Sequence, residues 1–304
     1  MKASCPGSSS GENQILLDSV LFLNRVPMNK LLLVLTAGIL TIALAASPSF
    51  DSADDWPSYG HDPGGMRYSP LTQINRENVS KLKVAWIFHT GDISDGSGGK
   101  KRSGFETTPL VVDGTLYLTT PFNRVIALDP EAGTQRWAHD PKIVLTGDYG
   151  DGLINRGVAT WLDPTRFAAQ TCHRRLFEAT LDARLTALDA ATGSPCGDFG
   201  KAGEVSLRDV PGFRPGWYHM TSPPAVIDDI VVVGSAIDDN GRVPGWCVPS
   251  MHALALCAGA GILSRQTPPN SAKPWKTGAA NAWTIMAVDS ERDLVFRSDR
   301  QRQP

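Results

Sequence analysis

VDGTLYLTTPFNRVIALDPEAGTQRW, from Val112 to Trp137, decides the fold. Apolar Leu116, Leu118, Val125, Ile126 and Leu128, with Val111 just before the stretch, are set between turn residues, Asp113-Gly114 and Pro121-Phe122-Asn123. An Asp-Gly pair between apolar runs signals a hairpin, because both central positions of a tight two-residue turn need positive φ. The stretch therefore reads as a strand, a turn, a second strand ending in Ala127-Leu128-Asp129, and a turn carrying Gly133. A second copy, RRLFEATLDARLTALDAATGSPCG from Arg174, places Ala187-Leu188-Asp189 and Gly193 about sixty positions later. A third strand pair starts at DDIVVVGSA (Asp228 to Ala236) and a fourth at TIMAVDSERDLVF (Thr284 to Phe296). Each unit is too small to bury its own faces, so neighbours must stack. The repeat predicts an all-β protein, a β-propeller of about four blades.

Composition agrees with this. The chain has 304 residues, 41% apolar and 20% charged, with 29 Gly and 22 Pro. That Gly and Pro content favours short strands and tight turns over a helical bundle. Lys and Arg total 29 against 31 Asp and Glu, and the longest basic run is Lys100-Lys101-Arg102, so no footprint for nucleic acid exists.

From Met28 the chain reads MNKLLLVLTAGILTIALAAS: Lys30, an uncharged run from Leu31 to Ala46, then small residues at A-x-A spacing, Ala43 and Ala45. This predicts a secretory signal peptide over 28–46, with 1–27 an extension outside the fold. The run is shorter than the roughly 20 residues that span a bilayer, so no integral membrane domain is expected beyond this segment. An uncleaved anchor is the competing reading. Export implies the periplasm or cell envelope, where Cys172 and Cys196 can pair across 24 residues. Two buried free thiols are the alternative. No Cys-x-x-Cys-His occurs, which argues against attached c-type haem.

Blades are expected over 47–242 and 266–296. Between them the third unit should close with another A-x-D-x-x-x-G, yet 243–265 reads VPGWCVPSMHALALCAGAGILSR, with no strand alternation. Back-translated and read two bases later, this stretch permits PGVVRAFDARTGALRWGWDPIP, a repeat ending of the expected kind. The single-codon residues Trp246 and Met251 force two of those residues. RSDRQRQP, 297–304, read one base later permits VPTGSASP. Both segments are therefore expected to be out-of-frame translation of a longer gene, with a natural irregular loop and tail as the alternative.

Five blocks, in this order, carry a family resemblance: DWPSYGHDPGGMRYSPLTQINRENVSKLKVAWIFHTGD, FETTPLVVDGTLYLTTPFNRVIALDPEAG, INRGVATW, RPGWYHMTSPPAVIDDIVVVGSAIDD and KTGAANAWTIMAVD. Together they resemble the quinoprotein dehydrogenases that use pyrroloquinoline quinone (PQQ), in the membrane-bound glucose-dehydrogenase-like branch. The resemblance implies an eight-bladed propeller in full-length relatives, of which this chain would carry roughly the first half. It implies oxidation of a sugar or alcohol by hydride transfer to PQQ, assisted by Ca²⁺ or Mg²⁺, with electrons passing to a quinone or a c-type cytochrome.

On that resemblance Glu106 contacts the cofactor edge, Arg156 presents its planar donor fork to a carboxylate or quinone oxygen, and Thr221 donates to a cofactor carboxylate. Trp283 is the platform under the ring, and Ser235 and Ala236 open a segment that approaches metal and quinone. Asp238 is the nearest candidate metal ligand, and His219 lines the substrate mouth. Taken alone, these residues would be a loop acid, a surface arginine, a turn hydroxyl, a core tryptophan and a structural histidine. Trp86 and Trp137, at strand ends, are assigned to the core. Gly150-Asp151 stands where alcohol-oxidising relatives carry adjacent cysteines. The family's catalytic aspartate would lie beyond Pro304, so this chain is expected to be inactive. A cofactor-free propeller scaffold that binds protein partners is the second reading.

Overall fold

The computed structural model describes residues 55–208, 213, 215, 216, 218–237, 253–257, 263–264 and 284–296. Three antiparallel four-stranded sheets follow one another in chain order. The first blade is Leu110–Val112, Thr115–Thr119, Val125–Leu128 and Gln135–His139. The second is Ala159–Leu162, Arg174–Ala179, Arg184–Asp189 and Glu204–Ser206. The third is Ala225–Ile227, Ile230–Gly234, Ala253–Cys257 and Leu263–Ser264. A two-stranded hairpin, Ala287–Asp289 with Leu294–Phe296, stands where a fourth blade would begin.

The blades pack face to face. In strand Arg174–Ala179 every residue is buried, because Leu176 joins the cluster shared with the first blade while Phe177 joins the cluster shared with the third. A sheet covered on both faces needs no polar alternation.

Each repeat ending is a small machine for docking the preceding tryptophan. Asp129 Oδ1 accepts from the Glu131 and Ala132 amides at 3.0 and 2.9 Å, and the Gly133 amide returns to the Asp129 carbonyl at 2.9 Å. Gly133 has φ +66 and a Cβ there would meet Trp86 at 2.4 Å; Gly193 has φ +73 and meets Trp137 at the same separation. The indole nitrogens complete the join, Trp86 Nε1 to Pro130 O at 3.0 Å and Trp137 Nε1 to Ala190 O at 3.1 Å. Conformation and space thus both require glycine, and both tryptophans hold the packing place assigned from sequence. Trp137→Ala is expected to cost about 2 kcal/mol in urea unfolding, the usual large-to-small loss reduced for partial exposure. An unchanged midpoint would show that the indole does not fasten the blades.

The third blade draws a strand from the stretch expected to be out of frame. Ala253–Cys257 lies inside the stretch that lacked alternation, yet it pairs with Ile230–Gly234 over five rungs, from Ile230 opposite Cys257 to Gly234 opposite Ala253. A short apolar run between two strands of a covered sheet is compatible with an interior position. The sheets do not close into a ring among the described residues. Before the first blade, Met66, Tyr68, Ile74, Val84, Ile87 and Ile93 are more than half exposed, an apolar segment of the kind a further blade would cover. No described helix is long and apolar enough to cross a membrane. The expected signal segment 28–46, the extension 1–27 and the tail 297–304 lie outside the described residues.

Candidate functional site

The leading segments of the three blades run side by side and build the site from backbone. Ser103–Phe105 pairs in parallel with Leu153–Asn155, Phe105 opposite Asn155, so Glu106 and Arg156 occupy the next rung. The Thr108 amide donates to Arg156 O at 3.1 Å, and the Arg156 amide donates to Thr221 O at 2.9 Å. Gly157 allows this approach: its φ is +137, and a Cβ would lie 3.2 Å from Thr108 O.

Three candidates meet on this frame. Arg156 Nη1 donates to Thr221 Oγ1 at 2.7 Å, and Nη2 pairs with Glu106 Oε2 at 2.8 Å. The Arg156 side chain is 17% exposed and that of Glu106 42%, so the cluster is anchored on one side and open on the other. Thr221 is buried. The guanidinium's fixed fork, bracketed by a hydroxyl and a carboxylate, matches a planar ligand bearing carboxylates or carbonyls.

Beside the cluster, Tyr218–His219 pairs antiparallel with Ala236–Ile237, His219 opposite Ala236. Ala236, opposite His219, and Ser235, the next residue along, are both buried. The Ser235 and Tyr218 hydroxyls are buried against one another with no other hydrogen-bond partner, and burial pushes the Tyr218 phenol up to about 12. Buried polar atoms are seldom left with so few partners, and Ser235 lies on the segment expected from the resemblance to approach metal and quinone. His219 is itself fully buried, with Nε2 3.3 Å from Asp151 Oδ2 and Nδ1 without a partner. The His219 ring is thus shielded, and the exposed part of the pair is Asp151, whose side chain is 36% exposed. The bond to His219 holds the Asp151 carboxyl below the usual range.

The structure joins Cys172 and Cys196 by a disulfide, Cα atoms 5.9 Å apart. It lies on the far part of the second blade, within the cluster that also holds Phe177 and Phe199. Trp283 and Asp238 lie outside the described residues, and no group of three His, Cys, Asp or Glu able to hold a metal occurs among the described ones.

Sequence reading missed Asp151 as the partner of His219, having noted it only where cysteines were absent. It also missed the buried pair Asn155 and Glu178. An acidic residue in the otherwise apolar run Leu176 to Ala179 was the available signal.

Comparison with known proteins decides what this frame is. The profile of the PQQ glucose/ethanol/alcohol dehydrogenase β-propeller domain matches residues 56–300. The chain belongs to this family of PQQ dehydrogenase propellers. It is 33% identical over 262 residues to quinoprotein glucose dehydrogenase A of Acinetobacter calcoaceticus, covering 80% of this chain and 32% of that protein. It is 36% identical over 265 residues to the glycerol dehydrogenase large subunit of Gluconobacter thailandicus, covering 84% and 35%. Among solved structures, the quinohemoprotein alcohol dehydrogenase of Comamonas testosteroni superposes with a TM-score of 0.59 at 26% identity, covering 86% and 37%. The chain thus spans about a third of the length of these relatives.

Proposed function

We propose that the chain is part of a quinoprotein dehydrogenase, in which Glu106, Arg156 and Thr221 hold the edge of PQQ. The observation that carries this is the Arg156 guanidinium fixed between Thr221 and Glu106, at 2.7 and 2.8 Å, on three adjoining blade-leading segments. The donor set fits the cofactor: one planar cation with the buried Thr221 and Ser235 hydroxyls suits an anionic, carbonyl-rich ring system.

When bound, PQQ would supply the hydride acceptor for oxidation of a sugar or alcohol CH–OH group. Arg156 contributes orientation and charge neutralisation, Thr221 a directional hydrogen bond, and Glu106 a counter-charge that keeps the fork in place before the ligand arrives. Ser235 and Ala236 would border the ring, Trp283 would stack on it, and Asp238 would help hold Ca²⁺ or Mg²⁺. His219 and Asp151 would lie on the substrate side. Electrons would pass from the complete enzyme to a quinone or c-type cytochrome, in the periplasm or cell envelope after export by the 28–46 segment.

PQQ titration, followed by quenching of tryptophan emission, tests the assignment. Arg156→Ala is expected to weaken binding about a hundredfold, as loss of two charge-assisted bonds of roughly 1.5 kcal/mol each implies. Arg156→Lys should recover only part, since it keeps the charge and loses the fork. Equal affinities across parent and variants would overturn the clamp.

The frame proposal for 243–265 has its own test. Sequencing the coding DNA through Val243 and Arg297 should reveal frame changes; unambiguous in-frame reads would end that proposal. The pairing of Ala253–Cys257 would then be the native third strand of its blade.

A further inference from the structure

Between the first two blades lies a group of buried polar side chains that the cofactor clamp does not use directly. Glu178 is fully buried and Asn155 is 2% exposed. The Asn155 carboxamide spans two elements. Its Oδ1 accepts from the Gly157 amide at 2.9 Å, and its Nδ2 reaches Glu178 Oε1 at 3.4 Å and Ala179 O at 3.5 Å. Asn155 and Gly157 flank Arg156, so the orientation of this one carboxamide sets the turn from which the guanidinium departs.

We propose that Glu178 is a positioning residue for Arg156: through Asn155 it fixes the Asn155–Gly157 turn and thereby aims the guanidinium at the cofactor edge. The proposal rests on the reading of Arg156 as a cofactor clamp, and its structural half stands without it.

Surrounding groups indicate the form in which Glu178 works. Its Oε2 has no hydrogen-bond partner, nor has Oγ1 of Thr186, directly opposite it in the ladder, nor Nδ2 of Asn123. Asn123 is tied to the same strand end, its Oδ1 accepting from the Leu181 amide at 2.8 Å. The charged groups that act on Glu178 are Arg184, Asp182 and Asp140. Arg184 is already committed, to Asp182 at 2.9 Å and to Glu204 at 2.7 Å, while the two aspartates oppose a second negative charge. Burial therefore holds the Glu178 carboxyl well above the usual range. The neutral acid can accept from Asn155 at one oxygen and donate from the other. A carboxylate there would be a buried charge with an oxygen unpaired.

The sign of the pH effect follows. An unfolded glutamate releases its proton near about pH 4.3, whereas the folded one retains it to higher pH. Stability is thus fully present below that value and falls as pH rises toward the raised native value.

The test uses the full chain as parent, Glu178→Gln and Glu178→Leu, with three readouts: urea unfolding between pH 5 and 8, hydrogen exchange of the Gly157 amide, and PQQ titration. Glutamine mimics the neutral acid. Glu178→Gln is expected to abolish the fall in stability with pH while keeping Gly157 protection and PQQ affinity within about twofold of the parent. Glu178→Leu should lose about tenfold in both, the equivalent of one buried hydrogen bond. Relative to Glu178→Gln, parent Gly157 protection should fall as pH rises. Parental protection in Glu178→Leu, or an unchanged pH slope in Glu178→Gln, would overturn the proposal. If Glu178→Leu does not fold, the comparison of parent with Glu178→Gln decides it through the pH slope and Gly157 exchange. Failure of the parent itself to bind PQQ would count against the clamp, and the same two readouts would still decide the role of Glu178 in the turn.

Discussion

Arg175→Ala is expected to lower the unfolding free energy by about 3 kcal/mol, the lower end for removing one partner of a buried ion pair. Arg175 is fully buried in the second blade. Its Nη2 lies 2.7 Å from Asp198 Oδ2 and 3.3 Å from Asp163 Oδ2, and its guanidinium sits 5.7 Å from the Trp161 ring centroid. The two carboxylates respond differently to its loss. Asp198 has a 42% exposed side chain and can turn to water, whereas that of Asp163 is 5% exposed and cannot. Burial by itself would raise the Asp163 carboxyl; Thr165, Arg175 and Arg166 hold it below the ordinary range. Because Thr165 Oγ1 and Arg166 Nε remain at 2.6 and 3.1 Å, the stranded charge is only partly uncompensated. The remaining cost comes from the cavity beside Trp161, so Arg175→Met, which refills it, should recover a good part. Urea unfolding measures both variants. A loss below about 0.5 kcal/mol for alanine would mean that the pair contributes no net stability.

Opening the disulfide is the second large effect. Cys172 and Cys196 close a span of 24 residues, and a crosslink of that size restricts the unfolded chain by about 3 kcal/mol. Both cysteines are buried, at 4% and 0% exposure, beside Phe199, whose ring lies 5.3 Å from that of Phe177. Replacing both by serine would add two buried hydroxyls to the entropic loss, so the double alanine variant is the cleaner comparison. The expected result is a fall of about 3 kcal/mol for Cys172→Ala/Cys196→Ala, matched by the parent after reduction. A reduced parent that unfolds at the oxidised midpoint would show the crosslink to be energetically idle.

The propeller was legible because the Ala-Leu-Asp ending and its glycine are local chemistry. Asp129 and Asp189 cap turns within four residues of themselves, and Gly133 and Gly193 must be glycine for the preceding tryptophan to dock. The Glu106–Arg156–Thr221 cluster was legible in a different way. Nothing local in Glu106, Arg156 or Thr221 announces a site, and family resemblance alone singled them out. Their meeting depends on pairing between segments 50 and 65 residues apart in the chain. Asp151, Glu178 and Arg175 were missed for the same physical reason. Each owes its role to a partner 23 or more residues away, 68 in the case of Asp151 and His219. The strand Ala253–Cys257 could not be read from alternation, which its run lacks and which a strand paired on both edges does not need.

Whether the Glu106–Arg156–Thr221 cluster receives PQQ is the question on which the functional account turns. The most direct measurement is a crystal structure of the chain grown with PQQ. Density is expected for the tricyclic ring with a carboxylate or carbonyl oxygen within hydrogen-bond distance of the Arg156 guanidinium and the Thr221 hydroxyl. PQQ density placed elsewhere, or a saturating soak that leaves Arg156 bound only to Glu106 and Thr221, would contradict it.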